Sequence, residues 1–241
     1  MKPPEPGRPI RFVSAASLFD GHDAAINMIR RLLQSGGAEV VHLGHNRSVS
    51  DIVRAAIAED ADAIAVSSYQ GGHNEYFRYM VDMLREFGAE HIKVVVGGGG
   101  TISPEEIAAL EDYGIAKIYT PEDGRRLGLN GMIEDVFSRV GRNAGGSVTV
   151  VPEARDHGAV ARAITMLEGG GSGTGVEMED LRRRLTEKVS TPPLANRAAP
   201  VIGFTGTGGA GKSSLTDELL QRGLFGSAAT TTPRSTTSPP A

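Results

Sequence analysis

Five short apolar segments alternate with helical patterns up to residue 140, and this alternation restricts the fold more than any other feature of the sequence. Each segment is short enough for a buried strand, and most are rich in Val and Ile. The predicted strands are 10–16, 39–43, 63–66, 92–96 and 116–119. Strands that alternate with helices form βαβ units and a parallel sheet. We therefore predict an α/β fold, a doubly wound flavodoxin-like five-stranded parallel sheet with right-handed crossovers.

Charge and composition exclude several classes of partner. The 241 residues include 25 basic and 29 acidic side chains and no basic tract, so nucleic acid is not expected as a partner. No cysteine is present, which excludes disulfides and thiolate metal sites and is typical of a reducing compartment. No run approaches the roughly 20 apolar residues that span a bilayer, and the N-terminus lacks the apolar core of a signal peptide. We expect a cytoplasmic protein with no membrane partner.

Composition also divides the chain into four segments. We predict a sheet domain at 8–140, a linker with short helices at 141–199, an incomplete P-loop α/β segment at 200–225 and a disordered tail at 226–241. The linker is punctuated by Gly and Pro, with helical patterns near 159–167 and 178–188. The tail is almost entirely Ser, Thr, Ala and Pro, which cannot bury enough apolar area to offset the entropy of ordering.

A complete phosphate-binding loop follows a further predicted strand at 201–205. Its glycines allow consecutive backbone N–H groups to face a phosphate, while Lys212 reaches the β- and γ-oxygens and Ser213 offers a hydroxyl to Mg²⁺. The predicted nucleotide-binding residues are Gly206, Gly208, Gly209, Gly211, Lys212, Ser213 and Ser214. No second metal-binding Asp on a later strand and no base-selecting motif follow, so we expect a nucleotide domain that is started but not finished. The alternative is a flexible glycine turn.

The loops after the first, third and fourth strands carry the candidate site, because ligands bind outside the carboxyl ends of strands in an open α/β sheet. These loops contain Asp20, Gly21, His22 and Asp23, then Ser67 and Tyr69, then Gly97 and Gly98. A metal-binding imidazole usually donates its second ring N–H to a carboxylate, and Asp20 could accept it from His22. The alternative is that Asp20 and Asp23 cap the next helix and His22 is a solvated turn residue. The glycines either admit a ligand to the backbone or form a turn with positive φ.

Together these residues resemble the cobalamin-binding domain of adenosylcobalamin-dependent acyl-CoA mutases. That family has the signature Asp-x-His-x-x-Gly, Ser-x-Leu and Gly-Gly, which Asp20, His22, Ser67 and Gly97-Gly98 match in order. Two positions depart, since Ala25 replaces the Gly and Tyr69 replaces the Leu, and both could alter how the nucleotide tail is accommodated. The order of cobalamin domain, linker and P-loop resembles that of the fused isobutyryl-CoA mutases, in which a G-protein chaperone lies between the cobalamin and substrate domains.

The resemblance implies specific roles and partners. It makes 8–140 the cobalamin-binding domain, with His22 as the lower axial ligand of cobalt, Asp20 orienting the imidazole, Ser67 bonding the buried base and Gly97-Gly98 giving the base room. It implies adenosylcobalamin as cofactor, GTP and magnesium in the full-length relative, an acyl-CoA substrate domain in the same or a second chain, and a homo-oligomer. The resemblance ends near residue 225, so we expect a part of an isomerase that is inactive alone.

Other functions fit the same residues less well. A receiver domain has this fold but needs a phosphoacceptor Asp at the end of the third strand, where Ser67 stands. A stand-alone cobalamin carrier or a methyl-carrying corrinoid protein shares the axial His motif and stays the alternative, although such domains usually have a helical cap for which there is no room before Ile10. A zinc site is least supported, because only His42 and His45 lie close together in the sequence.

Overall fold

The computed structural model describes residues 8–21, 23–98, 100–141, 148, 150–169, 174–190, 203–205 and 211–225. Five parallel strands form one sheet in the order β2-β1-β3-β4-β5. The strands are β1 (Arg11–Ala16), β2 (Glu39–His42), β3 (Ala63–Ser67), β4 (Lys93–Gly97) and β5 (Lys117–Tyr119). The predicted sheet and its flavodoxin-like order are confirmed, and each strand begins and ends within a residue of its predicted limits.

Five helices connect and follow the strands. They are α1 (Asp23–Ser35), α2 (Val49–Ala58), α3 (His73–Glu86), α4 (Pro104–Tyr113) and α5 (Pro121–Val140). Side-chain caps define several starts: the Ser48 hydroxyl accepts the Asp51 N–H at α2, and Ser103 and Glu106 form a reciprocal capping box at α4. Helix α5 is interrupted at Gly128, whose φ of 65° is not helical.

Helices cover both faces of the sheet. Consecutive strand residues point to opposite faces, so each strand contributes side chains to both layers of helices. One apolar cluster joins Val13, Ile64 and Val94 to α2, α3 and α4, and the other joins Phe12, Ala65 and Val95 to α1 and α5. The strands are therefore apolar on both faces, as their continuous hydrophobic runs predict.

Two more helices follow the sheet domain, α6 (His157–Leu167) and α7 (Gly175–Ser190). Helix α6 packs on α2 so closely that a Cβ on Gly158 would lie 3.0 Å from Ile57 Cγ2. Ala163 and Met166 of α6 form a small core with Leu181 of α7. These helices correspond to the two that the sequence predicts within 141–199, and Met1–Lys188 forms one compact unit, which extends beyond residue 140.

The second unit is Val189–Ala241. Its described part includes α8 (Lys212–Phe225), which begins at the predicted P-loop lysine. Gly203, Phe204 and Thr205 belong to no strand, so the described end of the predicted strand 201–205 is not paired. Residues 206–210 and the predicted tail 226–241 lie outside the described residues.

Candidate functional site

The ends of three adjacent strands lie at one level at the carboxyl edge of the sheet. Ala16 of β1 pairs in register with Ser67 of β3, and Ser67 pairs with Gly97 of β4. The loops predicted to carry the site leave the sheet directly after these residues. The fold therefore brings together the three sequence segments on which the prediction depends.

Asp20 is a buried carboxylate that joins two of these loops. Asp20 is only 2% exposed, and its Oδ2 accepts a hydrogen bond from the backbone N–H of Tyr69 at 2.9 Å. Its own N–H donates to Ser17 O, and the Ser17 hydroxyl donates to that of Ser68. The contact with Tyr69 was not foreseen, because the sequence predicts Asp20 only as a partner of His22 or as a helix cap. It holds the loop after β1 against the loop after β3.

The predicted axial ligand and its neighbours belong to the loop after β1. His22 lies outside the described residues, and the side chain of Asp23 does too, although the backbone of Asp23 begins α1. Gly21 is exposed, with no atom within 4 Å of where a Cβ would be.

An apolar cavity of about 280 Å³ opens beside these loops, between the sheet and helices α1 and α5. Its walls come from Ile26 and Ile29 of α1, from Val95 of β4 and from Met132 and Ile133 of α5. Ser67, Tyr69 and Gly97 also border it. A ligand in this cavity would have a largely apolar body.

Ser67 places one unsatisfied hydroxyl at this cavity. The residue is only 4% exposed, and its Oγ has no hydrogen-bond partner among the described residues. An unpaired buried hydroxyl costs roughly 1–3 kcal/mol of desolvation free energy. A ligand atom that accepts or donates a hydrogen bond would recover this cost. The cavity therefore suits a ligand with an apolar body and one well-placed polar atom.

The two glycines after β4 serve different purposes. Gly97 borders the cavity, and a Cβ there would meet no atom within 4 Å, so the missing side chain leaves space that a ligand can use. A Cβ on Gly98 would lie 2.4 Å from Ile102 Cδ1. Gly98 therefore packs closely against the buried Ile102, whereas Gly97 faces open space. That both glycines give a ligand room stays a prediction.

Tyr119 forms the wall of the cavity at β5. Its hydroxyl donates to Asp135 Oδ2 at 2.8 Å, and Asp135 also accepts from Arg139 Nε at 2.7 Å. Burial, with the bond to Asp135, raises the pKa of Tyr119, while the Arg139 hydrogen bond lowers the pKa of Asp135. This chain of contacts fixes α5 against the sheet beside the cavity. The spacing of residues in the sequence does not indicate these contacts, because it predicts Tyr119 only as a strand residue.

A second polar network connects the loops after β3 and β4. His73 is buried at the start of α3, with Nδ1 3.2 Å from Gln70 O and Nε2 3.3 Å from Glu106 Oε2. Asn74 donates to Glu106 Oε1 at 2.8 Å. The Ser103 N–H bond, followed by that from Asn74, lowers the pKa of Glu106 to about 2. Residue spacing in the sequence gave no indication of these contacts between Glu106 and α3.

The described part of the P-loop consists of its last residues. Gly211 has a φ of 74°, Lys212 begins α8, and Ser213 and Ser214 lie in the first turn. Gly206, Gly208 and Gly209 lie outside the described residues.

Among the described residues, none of the helices combines the length and the hydropathy that a bilayer crossing requires.

Comparison with known proteins identifies the family to which the sheet domain belongs. The model of the B12 binding domain matches residues 10–123. The small subunit of 2-hydroxyisobutanoyl-CoA mutase from Aquincola tertiaricarbonis is 32% identical over 110 residues, which are 46% of this chain and 79% of that protein. The chain belongs to the B12-binding domain family. The cavity, the unpaired Ser67 hydroxyl and the open side of Gly97 fit a bound cobalamin, whose nucleotide tail ends in an apolar aromatic base with a ring nitrogen that accepts hydrogen bonds.

Longer relatives in this family extend the match beyond the sheet domain. The fused isobutyryl-CoA mutase of Cupriavidus metallidurans is 55% identical over 232 residues, which are 92% of this chain. That of Geobacillus kaustophilus is 53% identical over 225 residues, or 91% of this chain. The chain spans about a fifth of the length of these two relatives, 20% in each case. The resemblance to the fused isobutyryl-CoA mutases is confirmed, and the sheet domain is a cobalamin-binding domain of this type.

Alanine substitutions at the paired glycines should have different effects on folding. We expect Gly98→Ala to lower the free energy of unfolding by about 1–3 kcal/mol, because the new methyl group overlaps the buried Ile102 side chain. Gly97→Ala, the matched control, should leave it unchanged or slightly higher, because its methyl group enters open space. Urea denaturation of the two variants checks this prediction, and equal losses at both positions would contradict it.

The Glu106 network predicts a pH-dependent contribution to stability. The pKa of Glu106 is lowered from 4.5 to about 2 in the folded protein, so its stabilising effect is complete above about pH 4.5 and is lost as the pH falls towards 2. Glu106→Gln keeps a residue suited to the capping box but removes the charge. We expect it to lower the melting temperature at pH 7 and to differ less from wild type at pH 3. Glu105→Gln, at the exposed neighbouring position, is the control, and a Glu106→Gln difference that does not shrink at pH 3 would refute the prediction.

Proposed function

We propose that this chain binds adenosylcobalamin at the carboxyl edge of its sheet and acts as the cobalamin-binding part of an acyl-CoA mutase of the isobutyryl-CoA type. The observation that carries the proposal is the buried Ser67 hydroxyl at the border of an apolar cavity, which has no hydrogen-bond partner in the part of the chain that the structure describes. An unpaired polar atom in such a place is costly in the free protein and useful only when a ligand bonds to it.

The residues of the edge divide the task of holding the cofactor. Ser67 would donate its hydroxyl proton to a ring nitrogen of the base, and the side chains of α1 and α5 would exclude water from it. Gly97 would allow the base to approach the backbone, and Tyr69, which borders the cavity and is 40% exposed, would cover its outer side. The apolar lining supplies affinity and the Ser67 hydroxyl supplies orientation.

His22 and Asp20 would provide the metal end of the site. His22 would donate a ring nitrogen lone pair to cobalt, and Asp20 would accept the proton of the other ring nitrogen, which fixes the tautomer and strengthens the ligand. Support comes from the burial of Asp20 and from its hydrogen bond with the Tyr69 N–H. These contacts hold the carboxylate in place in the loop that also carries His22. When bound, adenosylcobalamin supplies the radical chemistry of the mutase reaction, and the protein supplies binding, orientation and axial ligation.

The remaining parts of the mutase would be an acyl-CoA-binding domain and a nucleotide-binding domain. The relatives include both fused mutases and mutase small subunits, so the acyl-CoA domain would lie either in the same polypeptide or in a second chain. We include a homo-oligomeric assembly in the proposal, as the resemblance to the fused mutases implies. A corrinoid carrier is not favoured by any feature of the described site.

Two substitutions test the cobalamin site in the 241-residue chain. Ser67→Ala should weaken adenosylcobalamin binding about 3- to 10-fold, which corresponds to one hydrogen bond, while the ligand-free protein keeps or gains stability. Absorbance titration measures the affinity and thermal denaturation the stability. His22→Ala should remove the axial nitrogen signal from the electron paramagnetic resonance spectrum of the cob(II)alamin complex.

The matched control for Ser67 is its neighbour Ser68. Ser68 is also fully buried, but its hydroxyl accepts a hydrogen bond from Ser17 at 3.1 Å. Ser68→Ala should therefore lower the stability of the ligand-free protein, the opposite of the effect at Ser67. Unchanged cobalamin affinity in Ser67→Ala, or an unchanged nitrogen signal in His22→Ala, would refute the assigned roles.

The second unit would bind GTP and magnesium through its P-loop. Support comes from α8, which begins at Lys212, because the free N–H groups and the dipole at a helix N-terminus favour an anion. Lys212 would approach the β- and γ-phosphates, and Ser213 would ligate Mg²⁺.

Calorimetric titration of the chain with GTP and Mg²⁺ tests this part. Lys212→Ala should abolish binding and Ser213→Ala should remove its dependence on Mg²⁺, whereas Asp217→Asn, an exposed change one turn later in α8, should bind like the wild type. Failure of the wild-type chain to bind GTP, or equal binding by Lys212→Ala, would count against a nucleotide site here.

A further inference from the structure

Phe19 combines backbone strain with exposure at the edge of the sheet that carries the site. Its φ is 65°, in the left-handed region that bulky residues rarely adopt. Phe19 is 83% exposed, which is the highest exposure among the large hydrophobic residues described. Leu18, one position earlier, packs against the core instead. Strain at Phe19 is therefore not compensated by burial of its ring within the described part of the chain.

Hydrogen bonds hold Phe19 in this conformation from both sides. The Phe19 N–H donates to Asn46 Oδ1 at 2.8 Å, and Asn46, in the loop after β2, itself has a φ of 56°. On the other side, the Asp20 N–H donates to Ser17 O at 3.1 Å, and the Asp20 carboxylate accepts from Tyr69. The outward position of the ring is thus determined by the surrounding loops. Strain that the surrounding structure enforces in this way points to a function for the strained residue.

The position of Phe19 in the chain indicates what covers it. Phe19 precedes His22 by three residues, so their Cα atoms lie within about 11 Å of each other even in fully extended chain. A macrocycle centred on a metal held by His22 would extend over the adjoining residues of the same loop. An exposed aromatic ring supplies a large apolar contact at low entropic cost, since it has only two rotatable side-chain bonds.

We propose that Phe19 packs against the corrin ring of bound cobalamin, and that its strained backbone serves to present the ring there. This inference rests on the proposed function, specifically on His22 as the cobalt ligand. Phe19 would then bind and position the cofactor, and it would take no part in the chemistry. It also gives Asn46, in the loop after β2, an indirect role, because its side chain holds the backbone that presents Phe19.

Glycine at position 19 separates strain from contact. Phe19→Gly relieves the positive φ and removes the ring, so we expect the melting temperature of the cobalamin-free chain to rise by about 2–4 °C. The same variant should bind adenosylcobalamin roughly tenfold more weakly, because the apolar contact is lost. Phe19→Leu keeps both the strain and an apolar side chain, and its affinity should stay within about threefold of wild type. Tyr79→Ala removes another exposed aromatic ring, on α3, and should change neither affinity nor axial ligation.

Thermal denaturation and absorbance titration of the full 241-residue chain give outcomes that can be told apart. Higher stability together with weaker binding in Phe19→Gly supports the inference. If wild type shows the His22-dependent nitrogen signal but Phe19→Gly binds cobalamin with unchanged affinity, the inference alone is overturned, and contact with another domain would then explain the exposed ring. A lower melting temperature in Phe19→Gly would overturn the strain argument. If wild type binds no cobalamin, the proposed function and the inference fail together.

Discussion

The parallel register of three strands is the constraint on which the site depends. Ala16, Ser67 and Gly97 are paired neighbours in β1, β3 and β4, so three loops that are far apart in the sequence leave the sheet at one level. A shift of one residue in either pairing would turn every side chain of the strand to the opposite face. Ser67 would then no longer face the side covered by α1 and α5. The strand side chains pack closely against helices on both faces of the sheet, and this packing makes the register costly to change.

Two unfavourable features lie together at the edge of the sheet that carries the site. The buried Ser67 hydroxyl has no hydrogen-bond partner within the described ranges, although most buried polar groups in folded proteins are hydrogen-bonded. Phe19 has a strained backbone and an exposed ring. Both lie on loops or strand ends at the same edge, and both would be relieved or used by one ligand. Their position at one edge supports a binding site there.

Fixed loops surround these two residues. Asp20 joins the loop after β1 to Tyr69, Asn46 joins it to the loop after β2, and the contacts among Glu106, Asn74 and His73 join the starts of α3 and α4. Each of these contacts connects one loop or helix start at the carboxyl edge of the sheet to another. A site held in this way needs little rearrangement of the described loops to receive a ligand, which lowers the entropic cost of binding.

The sequence by itself determined the elements, the strand order and the segments that carry the site. Apolar periodicity marks strands and helices locally, and caps such as Ser48 and Ser103 mark helix starts, because these signals depend on residues a few positions apart. The motif of Asp20, Ser67 and Gly97 likewise indicated a cobalamin site through its resemblance to a family. None of these signals contains information about which side chains meet across the sheet.

Tertiary structure alone decided the contacts that give each residue its role. It joined Asp20 to Tyr69 across 49 positions, separated the space beside Gly97 from the close packing of Gly98 on Ile102, and left the Ser67 hydroxyl unpaired. It also placed α6 against α2, beyond the predicted limit of the sheet domain. Such outcomes depend on the three-dimensional distances between residues that are remote in the chain, and the spacing of residue types along a sequence does not encode those distances.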